Sequence, residues 1–315
     1  MSNKLKIGLA LGGGGARGFA HIGVLKILND AGINPEIVVG TSMGAVTGAL
    51  YCQHQTAAAA EEKLRRVILN SRPDADKLNV YPENEKGDHF FDHITQVIKQ
   101  RIVINVSVSK KSLLPAEQLE QSVDDLIEET LIEKLPVTYA AMASDLKTGK
   151  GIVLKRGSLR KAIIASSAIP GFFPPVPWND YLLIDGEATD LIPVNACRAL
   201  GADYVIAIDV QRNIETKREP KHSIDMFVRA SRITSYHLAK ASLNSADFVL
   251  QPDTSDVDWT EFDRLQEIIS AGEWEARAKI SQLKQQLTDF NNQAIRAQTF
   301  DMQKFHLEFA DKNNK

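Results

Sequence analysis

Two glycine-rich segments near the N-terminus constrain the fold of this chain more strongly than any other feature. Residues 6–11 form a short apolar run that leads into the glycines 12–15, and a helical pattern follows from about Arg17. Residues 37–39 lead in the same way into a second turn, after which a second helix is predicted from about Met43. A short strand, a tight turn and a helix, repeated directly, predict a parallel sheet with right-handed crossovers.

The remainder of the chain continues this alternation of short apolar runs and amphipathic segments. Thr148-Gly149 indicates a tight turn between two of the strands. Further strands are predicted at residues 137–144, 151–155, 181–184, 204–209 and 248–250. Helices or amphipathic segments are predicted at residues 57–69, 90–98, 116–129, 158–166, 194–200 and 223–241, and a final helix includes residues 280–290. We therefore predict the α/β class, with a mostly parallel central sheet and helices on both faces.

The order of these segments predicts a main domain followed by an extension. Residues 1–210 are expected to form the main domain, with a less regular insertion of helices and loops at about residues 53–134. Residues 211–315 are expected to form a helical extension, whose final helix packs an apolar face against the main domain. Hydrophobic residues make up 43% of the chain and charged residues 24%, which are ordinary values for a protein with a sizeable core.

Charge, hydropathy and cysteine content narrow the expected partners and location. The net charge of -3 argues against nucleic acid as a partner. No apolar run approaches about eighteen residues, so no transmembrane helix is predicted, although a peripheral membrane contact is compatible with the composition. Cys52 and Cys197 are far apart and lack metal-ligand spacing, so we expect two buried thiols in a reduced, cytoplasmic compartment. The oligomeric state is not indicated by any of these features.

The run Gly40-Thr41-Ser42-Met43-Gly44 fits the Gly-x-Ser-x-Gly pattern in a meaningful context. It follows a predicted strand and opens a predicted helix, which is the geometry of a nucleophile elbow. The two glycines permit the tight turn and the close packing of the helix on the strand, so the serine oxygen is held exposed at the tip of the sheet. The run therefore predicts that Ser42 is the nucleophile of a serine hydrolase.

The first glycine loop has two interpretations. Gly13, Gly15 and Gly18 fit Gly-x-Gly-x-x-Gly, with Glu36 at a suitable distance downstream, as in a dinucleotide-binding protein. Successive backbone N–H groups without side chains also suit an oxyanion hole. The loop alone does not decide between them, but a dinucleotide site would leave the Ser42 elbow unexplained. The alternative to an enzyme is a nucleotide-binding or regulatory module that has kept the glycine loop.

Together, these segments resemble the patatin-like phospholipase family. The family pattern Gly-Gly-Gly-x-Arg/Lys-Gly, Gly-x-Ser-x-Gly and Asp-Gly-Gly/Ala is matched in order by residues 13–18, 40–44 and 185–186. Residues 166–175, Ser-Ser-Ala-Ile-Pro-Gly-Phe-Phe-Pro-Pro, are similar to the segment that precedes the family's aspartate. The four-glycine start and residues 199–209 look most like the bacterial, neuropathy-target-esterase-like branch.

The resemblance implies a Ser–Asp catalytic dyad on a fold related to the α/β-hydrolases. Ser42 would be the nucleophile and Asp185 the base. The oxyanion hole would be formed at the glycine loop, by Gly13, Gly14, Gly15 and Arg17. The glycines that support the motifs would be Gly18, Gly40, Gly44 and Gly186. The implied reaction is the hydrolysis of acyl esters of lipids, either lysophospholipids or phospholipids, with no cofactor and no metal.

The chain departs from the family pattern at two positions near Asp185. The family usually has a small residue after Asp-Gly, whereas this chain has Glu187. The branch commonly has asparagine where this chain has Asp190. We hypothesise that Glu187, if it points into the site, raises the pKa of Asp185 and shifts the pH optimum upward. The alternative is a solvent-facing glutamate with no effect.

Three further features each have a functional and a structural interpretation. Asp88-His89 and Asp92-His93 place two histidines at a zinc-compatible spacing, but no third ligand is evident, so a solvated helical face is predicted. Residues 170–173 either line an acyl pocket near Asp185 or pack in the core. A triad histidine is expected after the acid in hydrolases of this type. His21 precedes the acid, and the candidates after it, His222, His237 and His306, lack a supporting motif. A Ser-His-Asp triad is the alternative to a dyad.

Overall fold

Parallel strands form the centre of one mixed sheet. A computed structural model of the chain describes residues 5–70, 112, 114–211, 213–214, 223–292 and 307–310. Its strands are β1 (Ile7–Leu11), β2 (Ile37–Thr41), β3 (Thr138–Asp145), β4 (Gly151–Leu154), β5 (Val176–Trp178), β6 (Tyr181–Asp185), β7 (Tyr204–Ile208), β8 (Phe248–Leu250) and β9 (Leu307–Phe309). Its helices are α1 (Ala20–Asp30), α2 (Met43–His54), α3 (Ala57–Asn70), α4 (Ala116–Leu126), α5 (Leu159–Ser166), α6 (Val194–Ala199), α7 (Ser223–Leu243) and α8 (Leu265–Asn292).

The order of the strands brings the ends of β1 and β2 together in the middle of the sheet. The strand order is β5-β6-β3-β2-β1-β7-β8, with β4 paired to β3 and β9 paired to β4. The central pairs β2–β3, β1–β2, β1–β7 and β7–β8 are parallel. The pairs β3–β4, β3–β6 and β5–β6 are antiparallel. Loops at the carboxyl ends of parallel strands are the usual place for a site in such a sheet.

Both faces of the sheet are buried. Leu9 and Leu11 of β1 belong to the larger core cluster, which includes residues of α1, α2, α3 and α8. Ala10 points the other way and belongs to a second cluster, with Val194 of α6 and Ala239 of α7. Successive side chains of a strand alternate between faces, so a strand buried on both faces is apolar throughout. The predicted α/β class, with helices on both faces of a mostly parallel sheet, is confirmed.

The C-terminal region is attached to the rest of the fold through α8. This helix packs along α1. Just before it, the ring of Phe262 meets Phe19 edge-on at 5.8 Å. Near its end, the ring of Phe290 meets Tyr204 edge-on at 5.2 Å. The final helix thus packs against α1 and against the rings of Phe19 and Tyr204. The same region also adds β8 and β9 to the sheet, so it is not only helical, and the division at residue 210 stays a prediction.

Two short strands are absent from the sequence-based prediction. β5 contains Pro177, and a proline within a short run does not indicate a strand. The strand forms nevertheless, because it lies at the edge of the sheet, where a residue without an N–H is tolerated. β9 has three residues and forms only through its pairing with β4. The amphipathic segment predicted at residues 90–98 lies outside the described residues.

The structure also bears on the cysteines and on membrane insertion. Cys52 and Cys197 are both buried free thiols, as predicted. Within the described ranges, no helix combines the length and the apolar character needed to cross a membrane.

Candidate active site

Ser42 occupies a strained turn between β2 and α2. Its backbone has φ 54 and ψ -123, a conformation that residues with a side chain rarely adopt. A Cβ atom on Gly40 would lie 2.2 Å from the carbonyl oxygen of Gly44, and a Cβ on Gly44 would lie 2.2 Å from that of Leu11. Only hydrogen fits at both positions, so the two glycines allow α2 to start directly against the strands. This is the geometry predicted for a nucleophile elbow.

The backbone of Ser42 is held by Ser166, the last residue of α5. The N–H of Ser42 donates to Ser166 Oγ at 2.9 Å, and this hydroxyl donates in turn to the carbonyl oxygen of Met142 at 2.6 Å. Ser166 is fully buried. The chain of hydrogen bonds therefore links the elbow to β3 and to the segment that precedes Asp185.

Asp185 ends β6 and is brought against the elbow by the turn that follows it. A Cβ atom on Gly186 would lie 2.4 Å from the carbonyl oxygen of Met142 and 3.0 Å from Thr41 Cγ2. The hydroxyl of Thr41 donates to the carbonyl oxygen of Asp190 at 2.9 Å. Through these contacts the elbow and the aspartate turn pack as one unit, although they are far apart in the sequence.

The carboxyl group of Asp185 is buried but not fully paired. The side chain is 2% exposed. Oδ1 accepts the N–H of Glu187 at 2.9 Å, whereas Oδ2 is buried and has no hydrogen-bond partner. The Ser42 side chain is close enough to favour the ionised form. An acceptor without a partner beside the serine hydroxyl is suited to receive its proton, because such hydrogen bonds often tighten only when substrate is bound.

Burial raises the pKa of Asp185 to about 7, and the charge of Glu187 adds to the increase. The hydrogen bond from the Glu187 N–H and the nearby Ser42 side chain oppose it. The direction of the Glu187 effect is the one hypothesised from the sequence. A carboxylate with a pKa near neutrality is a stronger base than an ordinary aspartate and is still ionised in an appreciable fraction at neutral pH.

Glu187 itself belongs to a cluster of partly buried charges. Burial raises its pKa, and the positive charges of Arg232 and Arg17 oppose that shift. Arg232 also interacts with Asp258, and desolvation lowers the pKa of its guanidinium. The charge next to Asp185 is therefore partly balanced by two arginines, one from the glycine loop and one from α7.

The glycine loop leaves some of its backbone donors available and uses others. The N–H of Gly13 donates to the carbonyl oxygen of Leu191 at 3.1 Å, so it is not free to bind an oxyanion. No hydrogen bond among the described residues uses the N–H of Gly14 or Gly15. Arg17 turns its Nε to the carbonyl oxygen of Val257 at 2.7 Å. The oxyanion donors suggested by this geometry are therefore Gly14 and Gly15.

An apolar cavity of about 50 Å³ opens beside Ser42. Its walls come from the glycine loop, from α2 and α4, from the segment after α5 and from the segment before α8. The lining residues are Gly15, Ser42, Met43, Val46, Leu119, Ser122, Val123, Leu126, Ser167, Ile169, Phe173, Trp259 and Phe262. Phe173 thus lines the cavity, while the neighbouring Phe172 packs edge-on against Trp259 at 5.9 Å. The apolar lining suits a hydrocarbon chain.

His21 supports the glycine loop and does not contact the nucleophile. Its Nε2–H donates to the carbonyl oxygen of Gly12 at 2.7 Å, because a carbonyl oxygen can only accept. Burial lowers its pKa to about 4, so the ring is neutral. His237 is exposed on α7. The remaining histidines singled out from the sequence lie outside the described residues; they are His89, His93, His222 and His306.

Asp190, the second departure from the family pattern, is a buried residue at the end of the aspartate turn, where its N–H donates to the carbonyl oxygen of Gly186 at 2.8 Å. Its Oδ1 accepts the hydroxyl of Ser242 on α7 at 3.3 Å. Burial raises its pKa to about 7. Asp190 resembles Asp185 in burial and in the direction of its pKa shift, but its carboxyl group contacts α7, and only its backbone carbonyl contacts the elbow.

Some residues of this site carry no sequence signal for their role. Ser166 was part of the segment that supports the family resemblance, but its hydrogen bond to Ser42 depends on how α5 packs. Trp259, Phe262 and Arg232 reach the site from the C-terminal region, where no motif marks them. Only the three-dimensional packing reveals these contributions.

Comparison with known proteins gives a consistent result. A family model described as patatin-like phospholipase matches residues 9–198. An uncharacterized NTE family protein of Mycobacterium tuberculosis is 32% identical over 240 residues, which cover 74% of this chain and 58% of that protein. Patatin-like phospholipase domain-containing protein 6 of Homo sapiens is 30% identical over 254 residues, which cover 80% of this chain and 16% of that protein.

Two further matches are more distant. Neuropathy target esterase sws of Drosophila melanogaster is 29% identical over 212 residues, which cover 67% of this chain and 13% of that protein. Among solved structures, VipD from Legionella pneumophila aligns with 86% of this chain and 68% of that chain, at 14% identity and a TM-score of 0.36. The chain thus spans only part of the length of the curated relatives that it matches.

Proposed function

This chain belongs to the patatin-like phospholipase family, and from that premise we propose that it is a serine hydrolase that cleaves acyl esters of lipids, of the lysophospholipase or phospholipase A type. One observation carries the proposal. A strained Ser42 lies at an apolar cavity, next to a buried carboxyl oxygen of Asp185 that has no hydrogen-bond partner. Nucleophile, base and acyl pocket are thereby combined in one place.

In the first half-reaction, Ser42 Oγ attacks the carbonyl carbon of the ester while its proton moves to Oδ2 of Asp185. The carbonyl oxygen becomes an oxyanion, which the N–H groups of Gly14 and Gly15 bind. When this intermediate collapses, the bond to the alcohol oxygen breaks. The alcohol takes the proton from Asp185 and leaves, and the acyl group stays on Ser42.

In the second half-reaction, a water molecule gives a proton to Asp185 and its oxygen attacks the acyl carbon. The bond to Ser42 Oγ breaks, and Ser42 regains the proton as the fatty acid is released. The raised pKa of Asp185 favours both half-reactions. A carboxylate with a pKa near 7 takes up a proton more readily than an ordinary carboxylate and can still release it in the next step. The sequence of steps requires no cofactor and no metal.

The rival proposal, a nucleotide-binding module, is opposed by the contacts of the glycine loop. In a dinucleotide site the N–H groups that open the helix bind a pyrophosphate. Here the N–H of Ala16 donates to the carbonyl oxygen of Trp259 at 2.8 Å, and a Cβ on Gly15 would lie 2.3 Å from the same oxygen. The carbonyl oxygen of Trp259 therefore takes up the Ala16 N–H, one of the backbone donors that a pyrophosphate would need.

The purified chain is expected to release fatty acid from a lysophospholipid or a diacyl phospholipid, and Ser42→Ala is expected to lose this activity. Substrates presented in mixed micelles and in vesicles separate chemistry from access to a bilayer. Turnover in vesicles would require the protein to meet the membrane surface, and the exposed Met226 and Phe227 of α7 are candidates for that contact. Equal fatty acid release by wild type and Ser42→Ala would contradict the proposed function.

Glu187→Gln is expected to move the acidic limb of the kcat/KM profile to lower pH. Asp185 must be ionised to accept a proton, so activity falls as the pH drops through its pKa of about 7. Loss of the Glu187 charge lowers that pKa, and the unbalanced charges of Arg17 and Arg232 act in the same direction. We expect a shift of roughly half to one pH unit.

The shift is measured with a soluble ester between about pH 5 and 9, where both limbs of such a profile can be followed. Glu62→Gln serves as the control, since Glu62 pairs with Arg66 on the exposed side of α3. An acidic limb that stays in place in Glu187→Gln would show that Glu187 does not act on Asp185.

A further inference from the structure

Trp259 lies between β8 and α8, outside residues 9–198 that the family model matches. Its carbonyl oxygen accepts the N–H of Ala16 at 2.8 Å. Gly15 has φ 57, and a Cβ there would lie 2.3 Å from the same oxygen. The backbone of Trp259 is therefore pressed against the loop whose N–H groups face the proposed oxyanion.

The indole ring of Trp259 is held on two sides. Phe172 meets it edge-on at 5.9 Å between ring centroids. The guanidinium of Arg232 lies 5.0 Å from the ring centroid, a cation–π contact. Trp259 is also one of the residues that line the cavity at Ser42.

We propose that Trp259 is a specificity-determining residue, whose indole closes one wall of the acyl cavity and limits the length and bulk of the acyl chain that fits. This inference rests on the proposed function, since it assigns the acyl chain to that cavity. The cavity is also lined by Val46, Leu119 and Val123. A cavity of about 50 Å³ accommodates only a short stretch of an acyl chain.

Removal of the indole of Trp259 is expected to enlarge the cavity. Trp259→Ala opens space beside Ser42, so a long acyl chain gains room and a short one loses contacts. The carbonyl oxygen that holds the glycine loop belongs to the backbone and stays in the variant. Each methylene that gains or loses a hydrophobic wall is worth about tenfold or more in kcat/KM. We therefore expect a change in chain-length preference.

The test compares kcat/KM for para-nitrophenyl butyrate and para-nitrophenyl decanoate. In Trp259→Ala, the decanoate-to-butyrate ratio is expected to rise by about tenfold over wild type, with a higher KM for butyrate. The control is Trp274→Ala, because Trp274 lies on α8 and is 75% exposed. Its ratio is expected to equal that of wild type.

Trp259→Phe provides a second variant that keeps an aromatic ring between Phe172 and Arg232. It is expected to raise the same ratio by roughly threefold, in proportion to the smaller volume removed. Thermal unfolding of each variant checks that it is folded. If Trp259→Ala does not fold, the decanoate-to-butyrate ratio of Trp259→Phe tests the inference. An unchanged ratio in a folded, active Trp259 variant would overturn the inference. Absence of ester hydrolysis by the wild-type protein would instead refute the proposed function.

Discussion

Replacement of Asp185 by asparagine is expected to lower kcat by about a thousandfold to ten-thousandfold, the range in which loss of a base or of its orientation reduces serine hydrolysis. Asparagine has nearly the shape of aspartate, and its side-chain oxygen can still accept the N–H of Glu187. It cannot take up the proton of Ser42. Binding of the acyl chain is retained in this variant, so the loss should appear in kcat and not in KM.

The same variant is expected to be at least as stable as wild type at alkaline pH. The pKa of Asp185 is raised from 3.8 to about 7 in the folded protein. In the window between these values the folded state holds a proton that the unfolded state releases, so stability falls as the pH rises through it. The neutral amide removes that dependence. Thermal unfolding at about pH 8, measured beside kcat, therefore separates loss of the base from loss of the fold.

Asp190→Asn is the matched control. Asp190 is also buried, its pKa is also raised to about 7, and its side chain contacts Ser242 on α7. Asparagine at position 190 should therefore keep kcat within a few-fold of wild type, as expected for a group that does not touch the substrate. Retention of more than about a tenth of wild-type kcat by Asp185→Asn would exclude this residue as the base.

The elbow and the sheet could be predicted from sequence because their signals are local. A glycine before and after Ser42 is required by the close approach of α2 to the strands, and short apolar runs identify the buried strands. Asp185 differs, since its own residue type and surroundings in the sequence do not mark it as a base. The family resemblance implies that role, and the packing of Gly186 against β3 explains how Asp185 reaches the elbow.

The details of the glycine loop could not be predicted, because they depend on partners distant in the sequence. Leu191 accepts the N–H of Gly13, which removes one expected oxyanion donor. Val257 accepts the Nε of Arg17, which ties that side chain to the C-terminal region. Trp259 completes the cavity from the same region. Long-range contacts of this kind leave no spacing pattern in the sequence.

A strained, partly exposed Ser42 beside an unpaired carboxyl oxygen should react with an active-site-directed phosphonylating agent. A fluorophosphonate mimics the ester carbonyl, and attack by Ser42 Oγ expels fluoride and leaves the phosphonyl group on the serine. Because the adduct is stable, a labelled fraction near unity is expected for wild type. Labelling should be absent in Ser42→Ala and strongly slowed in Asp185→Asn.

Peptide mass spectrometry of the fluorophosphonate-treated protein tests the central claim most directly. The expected result is a single phosphonyl adduct on the peptide that contains Ser42, formed in wild type and missing from Ser42→Ala. An adduct on a different residue, or an unlabelled wild-type protein under conditions that label another serine hydrolase, would contradict the assignment of Ser42 as the nucleophile.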